Sequence, residues 1–99
     1  MKTIQSGLFL IDTETLIEVD ELLDKTAKRD LVLHNDDYHT FEYVIETLVE
    51  LCDHSLEQAE QCTYLVHYRG KCAVKLGTLE ELKPIYKAIQ DRGLTVEIQ

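Results

Sequence analysis

Leu-Val-Leu-His-Asn-Asp-Asp-Tyr, residues 31–38, is the stretch of this chain that decides its fold. Its aliphatic residues are typical of a buried strand, and the polar residues behind them favour a turn. Thr40 can then cap a helix. The apolar positions of that helix share one face: Phe41, Val44, Ile45, Leu48 and Cys52. Because loops between packed elements often carry binding residues, this step from strand to helix predicts a binding site.

A second helix follows directly. Ser55 and Gln58 form a capping-box pattern at its start, and Gly70 suits its end. Its apolar face is Leu56, Ala59, Cys62, Thr63 and Val66. His67 lies four residues after Thr63 and therefore beside it on the helix. The spacing thus places a histidine near the end of an apolar helix face.

The last third of the chain alternates strand and helix patterns. Residues 72–76 alternate as a half-buried strand, and Gly77 is predicted to turn the chain. Thr78 and Glu81 form a second capping box for a third helix, which Gly93 closes. The apolar positions of this helix are Leu79, Leu82, Ile85, Tyr86 and Ile89.

Pro84 lies past the first turn of the third helix, where it predicts a kink or a delayed start. Leu94, Val96 and Ile98 alternate as a final strand. The order is therefore strand, helix, helix, strand, helix, strand. This order predicts an α+β fold in which helices pack on a small sheet.

The size and composition of the chain predict one small domain. Its 99 residues contain no run of about 18 apolar residues, so no membrane span is expected. The apolar run at residues 8–11 is shorter than a secretory core of about 7 to 15 residues, and we predict a cytoplasmic protein. The odd set of Cys52, Cys62 and Cys72 contains no Cys-x-x-Cys pair, so we expect small packed side chains and neither a metal nor a cofactor.

The net charge of −9 is unevenly distributed. Between Asp30 and Tyr68 there is no Lys or Arg, but nine of the 19 acidic residues lie there. Such a region repels nucleic acid and anionic membranes and attracts cationic groups. Either a solvated, acidic helix face or a site for an amine would explain this pattern.

Residues 1–29 are predicted to be a separate N-terminal extension, which is flexible, and residues 30–99 the folded core. The extension is strongly charged, with acids between Asp12 and Asp24 followed by bases at Lys25, Lys28 and Arg29. Regular apolar periodicity begins only at Asp30.

The polar residues of the turn do not predict an enzyme. The sequence lacks a Gly-x-Ser-x-Gly nucleophile motif and His-x-x-x-His metal spacing, and the anionic turn lacks the glycines or lysine of a phosphate site. A primary ammonium fits better, because it offers three donors and no acceptor. Asn35 can supply a carbonyl, Asp36 a carboxylate and neutral His67 a ring nitrogen. The bond to the Asp36 carboxylate would be charge-assisted and therefore among the stronger contacts.

Neighbouring apolar residues could contact the group that carries the amine. They are Phe41, Val44, Thr63 and Val66. For each of these residues a plain core position is the alternative, and for Phe41, Val44 and Val66 periodicity alone favours it.

Several blocks of the sequence resemble the ClpS family, the adaptor of the N-end rule. They are residues 35–38 (Asn-Asp-Asp-Tyr), 41–45 (Phe-Glu-Tyr-Val-Ile), 59–61 (Ala-Glu-Gln), 66–68 (Val-His-Tyr) and 70–71 (Gly-Lys). The resemblance covers about residues 31 to 98. It implies a three-stranded antiparallel sheet with three helices, and an adaptor that captures substrates by their N-terminal residue for a Clp AAA+ unfoldase.

Carried over by position, the resemblance implies that Asn35, Asp36 and His67 bind the α-amino group. It implies that the first side chain, typically Phe, Tyr, Trp or Leu, is surrounded by Asp37, Phe41, Val44, Thr63, Val66 and Leu94. Phe41 and Thr63 stand where many members carry methionine. The adaptor itself would catalyse nothing.

Glu80 matches a position that such adaptors use to contact the unfoldase, which would be ClpA-like or ClpC-like. Substrates would be proteins and peptides with a free N-terminal amine. The alternative is a small acidic interaction module without specificity for an N-terminal amino acid.

Overall fold

The computed structural model describes residues 26–99. The elements are β1 (Lys28–His34), α1 (Phe41–Leu51), α2 (Leu56–Arg69), β2 (Lys71–Thr78), α3 (Leu79–Asp91) and β3 (Thr95–Ile98). The predicted α+β class and element order are confirmed. The predicted flexible extension lies mostly outside the described residues. Its last two residues, Lys28 and Arg29, belong to β1.

The sheet is antiparallel, with β1 in the centre between β2 and β3. Leu31 and Leu33 are 0% and 1% exposed, and Val32 is buried as well. A run of three buried aliphatic residues is typical of a strand that is covered on both faces. The three-stranded antiparallel sheet implied by the family resemblance is thus confirmed.

The helix caps form where the sequence places them. The Thr40 side chain accepts from the backbone N–H of Tyr43 at 3.1 Å, and Ser55 and Gln58 form both bonds of a capping box. Gly70 ends α2 in the left-handed region, at φ 91°, which a glycine adopts at little cost. These local bonds fix the ends of the two helices that flank the cavity described below.

The predicted turn at Gly77 is wrong, because Gly77 lies inside β2, which runs directly into α3. A Cβ atom at this position would lie 3.0 Å from Oε1 of Glu81, the residue that completes the capping box at Thr78. Close approach of the capping side chain to the strand therefore favours a residue without a Cβ atom at this position.

The expected delay of the third helix at Pro84 is also wrong. α3 begins at Leu79 and contains Pro84 in its interior. The ring removes the hydrogen bond to the carbonyl of Glu80, in the first turn, and the capping box formed by Thr78 and Glu81 holds this turn. The buried Leu82 and Ile89 anchor the helix on both sides of the proline. Capping of the first turn and packing of the buried side chains therefore keep the helix continuous despite the missing hydrogen bond.

Among residues 26–99, none of the helices has the length and apolar character that crossing a membrane requires.

Candidate functional site

A cavity of about 290 Å³ opens where the loop after β1 meets α1, α2 and the residue before β3. All nine residues that the sequence suggested for one site line it. They are Asn35, Asp36, Asp37, Phe41, Val44, Thr63, Val66, His67 and Leu94. We call the polar residues Asn35, Asp36, Asp37 and His67 the mouth of this cavity, and Val44, Thr63, Val66 and Leu94 its floor. Their individual roles in binding stay predictions.

A backbone hydrogen bond joins the two halves of the mouth. The N–H of Asn35 donates to the carbonyl oxygen of Gly70 at 2.9 Å. This bond fixes the loop after β1 against the end of α2, and pairing of His34 with Lys71 continues the contact into the sheet. Residues that are far apart in sequence, such as Asn35 and His67, therefore line the same cavity.

Asp36 is the most heavily bonded side chain of the mouth. Its Oδ1 atom accepts from the backbone N–H groups of Tyr38, at 2.8 Å, and His39, at 3.0 Å. Nδ1 of His39 lies 3.1 Å from Oδ1 and 3.0 Å from Oδ2. The carboxylate thus stabilises the turn that contains it. Among residues 26–99, Oδ2 has no partner other than His39. A carboxylate offers about four lone-pair positions, so Oδ2 keeps capacity for a further donor.

These bonds set the charge of Asp36. Burial alone raises the pKa of this carboxyl, but the backbone N–H groups of Tyr38 and His39 and the His39 imidazole more than offset that effect. The pKa of Asp36 therefore lies below its ordinary value. The mouth holds an ionised carboxylate at neutral pH, as the recognition of an ammonium group requires.

The other polar groups of the mouth have unused acceptors. Asn35, Asp37 and His67 are exposed. Within residues 26–99, no side-chain hydrogen bond engages Asn35 or Asp37, and neither ring nitrogen of His67 has a partner. Polar groups that lack partners and line a cavity are available to a ligand. Together with Asp36, they give the cavity four polar side chains with acceptor atoms.

The floor is apolar and buried. Val44, Thr63, Val66 and Leu94 are 9%, 3%, 5% and 5% exposed. The Thr63 hydroxyl donates to the carbonyl of Ala59 at 2.7 Å, so it is satisfied inside α2 and gives the cavity no free donor. Val44, Val66 and Leu94 also belong to the hydrophobic core. Val44 and Val66 therefore belong to the core and line the cavity at the same time, and their part in binding stays a prediction.

Phe41 forms the side wall between the mouth and the floor. Its ring contacts those of His67 and Tyr64 edge to face, with centroid distances of 5.2 Å in both cases. Tyr64 in turn stacks on Tyr68 at 6.1 Å. Such edge-to-face pairs restrict the orientation of a ring. The orientation of the Phe41 ring thus depends on residues of α2.

His39 is one of four lining residues that sequence reasoning missed, and the one that contacts Asp36. It lines the cavity, binds Asp36 and stacks on the ring of Tyr43 at 4.9 Å. The Tyr43 hydroxyl donates to the carbonyl of Arg92 at 2.8 Å, near Leu94 in the floor. An Asp followed three residues later by a His in a predicted turn was the available signal. Leu33, His34 and Thr40 also line the cavity and were not predicted to do so.

Glu80 does not line the cavity. It is exposed in the first turn of α3, and its contact with an unfoldase stays a prediction. Within residues 26–99, no group of three or more His, Cys, Asp or Glu residues could hold a metal ion. Burial raises the pKa of the Cys52 thiol to about 11, and burial with the nearby Cys72 thiol raises that of Cys62 to about 12. Both thiols therefore stay neutral.

Residues 24–97 match the family model described as "ATP-dependent Clp protease adaptor protein ClpS". The chain belongs to the ClpS family. It is 38% identical over 74 residues to the ClpS adapter protein of Nitratidesulfovibrio vulgaris (strain DSM 19637 / Miyazaki F), a match that covers 73% of this chain and 72% of the relative. It is 34% identical over 77 residues to ClpS of Salmonella gallinarum, covering 74% and 73% of the two chains.

The fold is shared with a solved ClpS structure. Agrobacterium tumefaciens ClpS2 bound to L-phenylalaninamide superposes with a TM-score of 0.71, at 20% identity, over 76% of this chain and 96% of that chain. This protein is therefore a Clp protease adaptor of the ClpS family with the ClpS fold, as the motifs around the mouth predict.

Proposed function

We propose that the cavity binds the first residue of N-end rule substrates, and that the protein delivers these substrates to a Clp AAA+ unfoldase and its peptidase for degradation. One observation supports this proposal above others. An apolar floor closed by core residues lies beneath a mouth of acceptors that includes an ionised carboxylate. A free α-amino group joined to a hydrophobic side chain satisfies both parts of such a cavity.

In this proposal, Asn35, Asp36 and His67 accept from the three N–H bonds of the α-ammonium group. The remaining lining residues surround the first side chain: Asp37, Phe41, Val44, Thr63, Val66 and Leu94. The preferred first residues are bulky and hydrophobic, namely Phe, Tyr, Trp and Leu. A cavity of about 290 Å³ is near the lower end of small-molecule sites, which suits one side chain rather than several.

The partner in this proposal is a cytoplasmic ClpA-like or ClpC-like unfoldase, contacted through Glu80, and the adaptor catalyses no reaction itself. The cavity contains hydroxyl groups at Thr40 and Thr63, but the Thr63 hydroxyl is already bonded to Ala59. None of the hydrogen bonds in residues 26–99 joins either hydroxyl to an imidazole or carboxylate base. The geometry thus favours binding over nucleophilic catalysis.

Fluorescence anisotropy with peptides that begin with Phe or Leu, each with a free or an acetylated terminus, tests the proposal. We expect tight binding of the free forms alone, because acetylation removes the positive charge and two of the three donors. Equal binding of both forms would instead support a small acidic interaction module without specificity for the N-terminal residue. Binding of neither form would contradict the assigned cavity.

A further inference from the structure

A second concave surface lies on a different face of α1 from the cavity. It is an open groove of about 450 Å³ between α1 and the start of α2. Its lining residues are Glu42, Ile45, Glu46, Val49, Glu50, Leu56 and Glu60, and none of them lines the cavity. We call this surface the α1–α2 groove. The two sites therefore share no lining residue.

The centre of the groove is apolar and partly unprotected from water. Leu56 is 62% exposed and Val49 is 37% exposed, whereas Ile45 packs partly against the core. Clustered aliphatic side chains in a concave surface gain free energy when a partner covers them. The lining positions on α1 recur at helical spacing, which matches the side chains of a second helix packed alongside.

The rim of the groove carries four carboxylates. Glu42, Glu46 and Glu50 follow one another at four-residue intervals, so neighbouring like charges repel along α1. Arg92 pairs with Glu50. Among residues 26–99, no base pairs with Glu42, Glu46 or Glu60. A cationic partner would relieve this repulsion while its apolar side chains cover the groove.

The negative charge of the chain makes its own segments unsuitable partners for the α1–α2 groove. Residues 1–25 contain six acidic and two basic residues, and the whole chain has a net charge of −9. Its own N-terminal segment or a second copy would therefore bring more negative charge to an acidic rim. We propose that the α1–α2 groove docks a basic amphipathic helix of a partner protein, with leucine-like residues on one face and Lys or Arg beside them.

A labelled model helix tests this proposal with the full-length protein. The probe is a fluorescent, N-acetylated peptide of about 14 residues, or four turns, built of Leu at helical spacing and Lys. Acetylation keeps its terminus out of the cavity. A peptide with Glu in place of Lys is the matched control. We expect saturable binding of the basic peptide alone, weakened as ionic strength rises from about 0.05 M to about 0.5 M.

Two variants locate the binding. Glu46→Gln/Glu60→Gln removes two rim charges, and Leu56→Ser removes exposed apolar surface. We expect each to weaken binding of the basic peptide roughly tenfold, the effect of one or two surface contacts. The control Glu57→Gln/Asp91→Asn changes the net charge equally at exposed residues outside the groove. The affinity of this control for the basic peptide should stay within about twofold of the wild-type affinity, because surface changes outside a contact have small effects.

Equal losses in the charge variant and its control would mean general attraction to an acidic protein, and would overturn the proposal. So would the absence of binding, or equal binding of the acidic peptide. Binding of a Phe-initiated peptide is measured on every variant and should not change. If the Phe-initiated peptide does not bind the wild-type protein, the result contradicts the proposed function and not the proposal for the groove.

Discussion

The mouth and the floor of the cavity differ in what holds them. The floor residues Val44, Val66 and Leu94 are core residues, so the packing that stabilises the fold also shapes the floor. Three of the four mouth residues lie on a loop held by the Asn35–Gly70 bond and by the turn around Asp36, and the fourth, His67, is exposed on α2. We therefore expect changes in the floor to affect stability and binding together, and changes in the mouth to affect mainly binding.

The largest expected effect is at Asp36. Asp36→Ala should weaken binding of a Phe-initiated peptide by about 2–5 kcal/mol, because it leaves a partly buried ammonium group without its carboxylate. Glu57→Ala is the matched control, because it also removes one negative charge, at an exposed side chain outside the cavity. Anisotropy titrations of both variants check this, and equal losses would show that general charge, not the position of Asp36, governs binding.

Leu94→Ala tests the double role of the floor. Removal of a side chain that is 5% exposed should lower the free energy of unfolding by about 2–3 kcal/mol and also weaken peptide binding. His67→Ala changes an exposed residue and should lower stability by less than about 0.5 kcal/mol while it weakens binding. Urea unfolding of both variants measures the difference. A large loss of stability in His67→Ala would contradict the separation of mouth from floor.

His39→Ala tests whether this residue positions Asp36. The change removes the contact of Nδ1 with both carboxylate oxygens and the stacking on Tyr43, and should weaken peptide binding by about 1–2 kcal/mol. His39→Asn retains a donor in a smaller side chain and should recover part of the loss. Isothermal titration calorimetry compares the two. Equal affinities in wild type and His39→Ala would remove His39 from the binding machinery.

The pH dependence of binding tests whether His67 accepts a hydrogen bond from the ligand. If its neutral ring accepts from the ammonium group, protonation of that ring in acid should repel the ligand. We expect about tenfold weaker binding at pH 5.5 than at pH 7.5, and a smaller dependence in His67→Ala. His34, His39, Asp36 and Asp37 also line the cavity, so His39→Asn is measured in parallel. A flat wild-type profile would contradict the acceptor role.

The smallest effect concerns the stability of the turn in acid. The pKa of Asp36 is lower in the folded chain than its ordinary value of 3.8, so its contribution to stability is present above that value and is lost as pH falls through the lower folded pKa. Asp36→Asn should cost about 1 kcal/mol near neutral pH. This difference from wild type should shrink below pH 4 in urea unfolding series. A difference that is independent of pH would show that the charge of Asp36 does not stabilise the turn.

Most of the fold could be predicted because its signals are local. Thr40, the capping box at Ser55 and the left-handed Gly70 act within a few residues of each other, and the structure forms each of them. Gly77 could not be interpreted correctly in this way. A glycine in a turn and a glycine that admits a neighbouring side chain look alike in sequence, and only the position of Glu81 distinguishes them.

The sequence by itself determined the elements, their order and the family, because periodicity, caps and motifs are encoded in neighbouring residues. It also indicated all nine candidate site residues. The tertiary structure alone decided that these residues line one cavity, that His39 holds Asp36, and that Glu42, Val49 and Leu56 share a groove. The physical reason is that such contacts join α1, α2 and the loop after β1 across the fold, and depend on packing geometry rather than on local propensity.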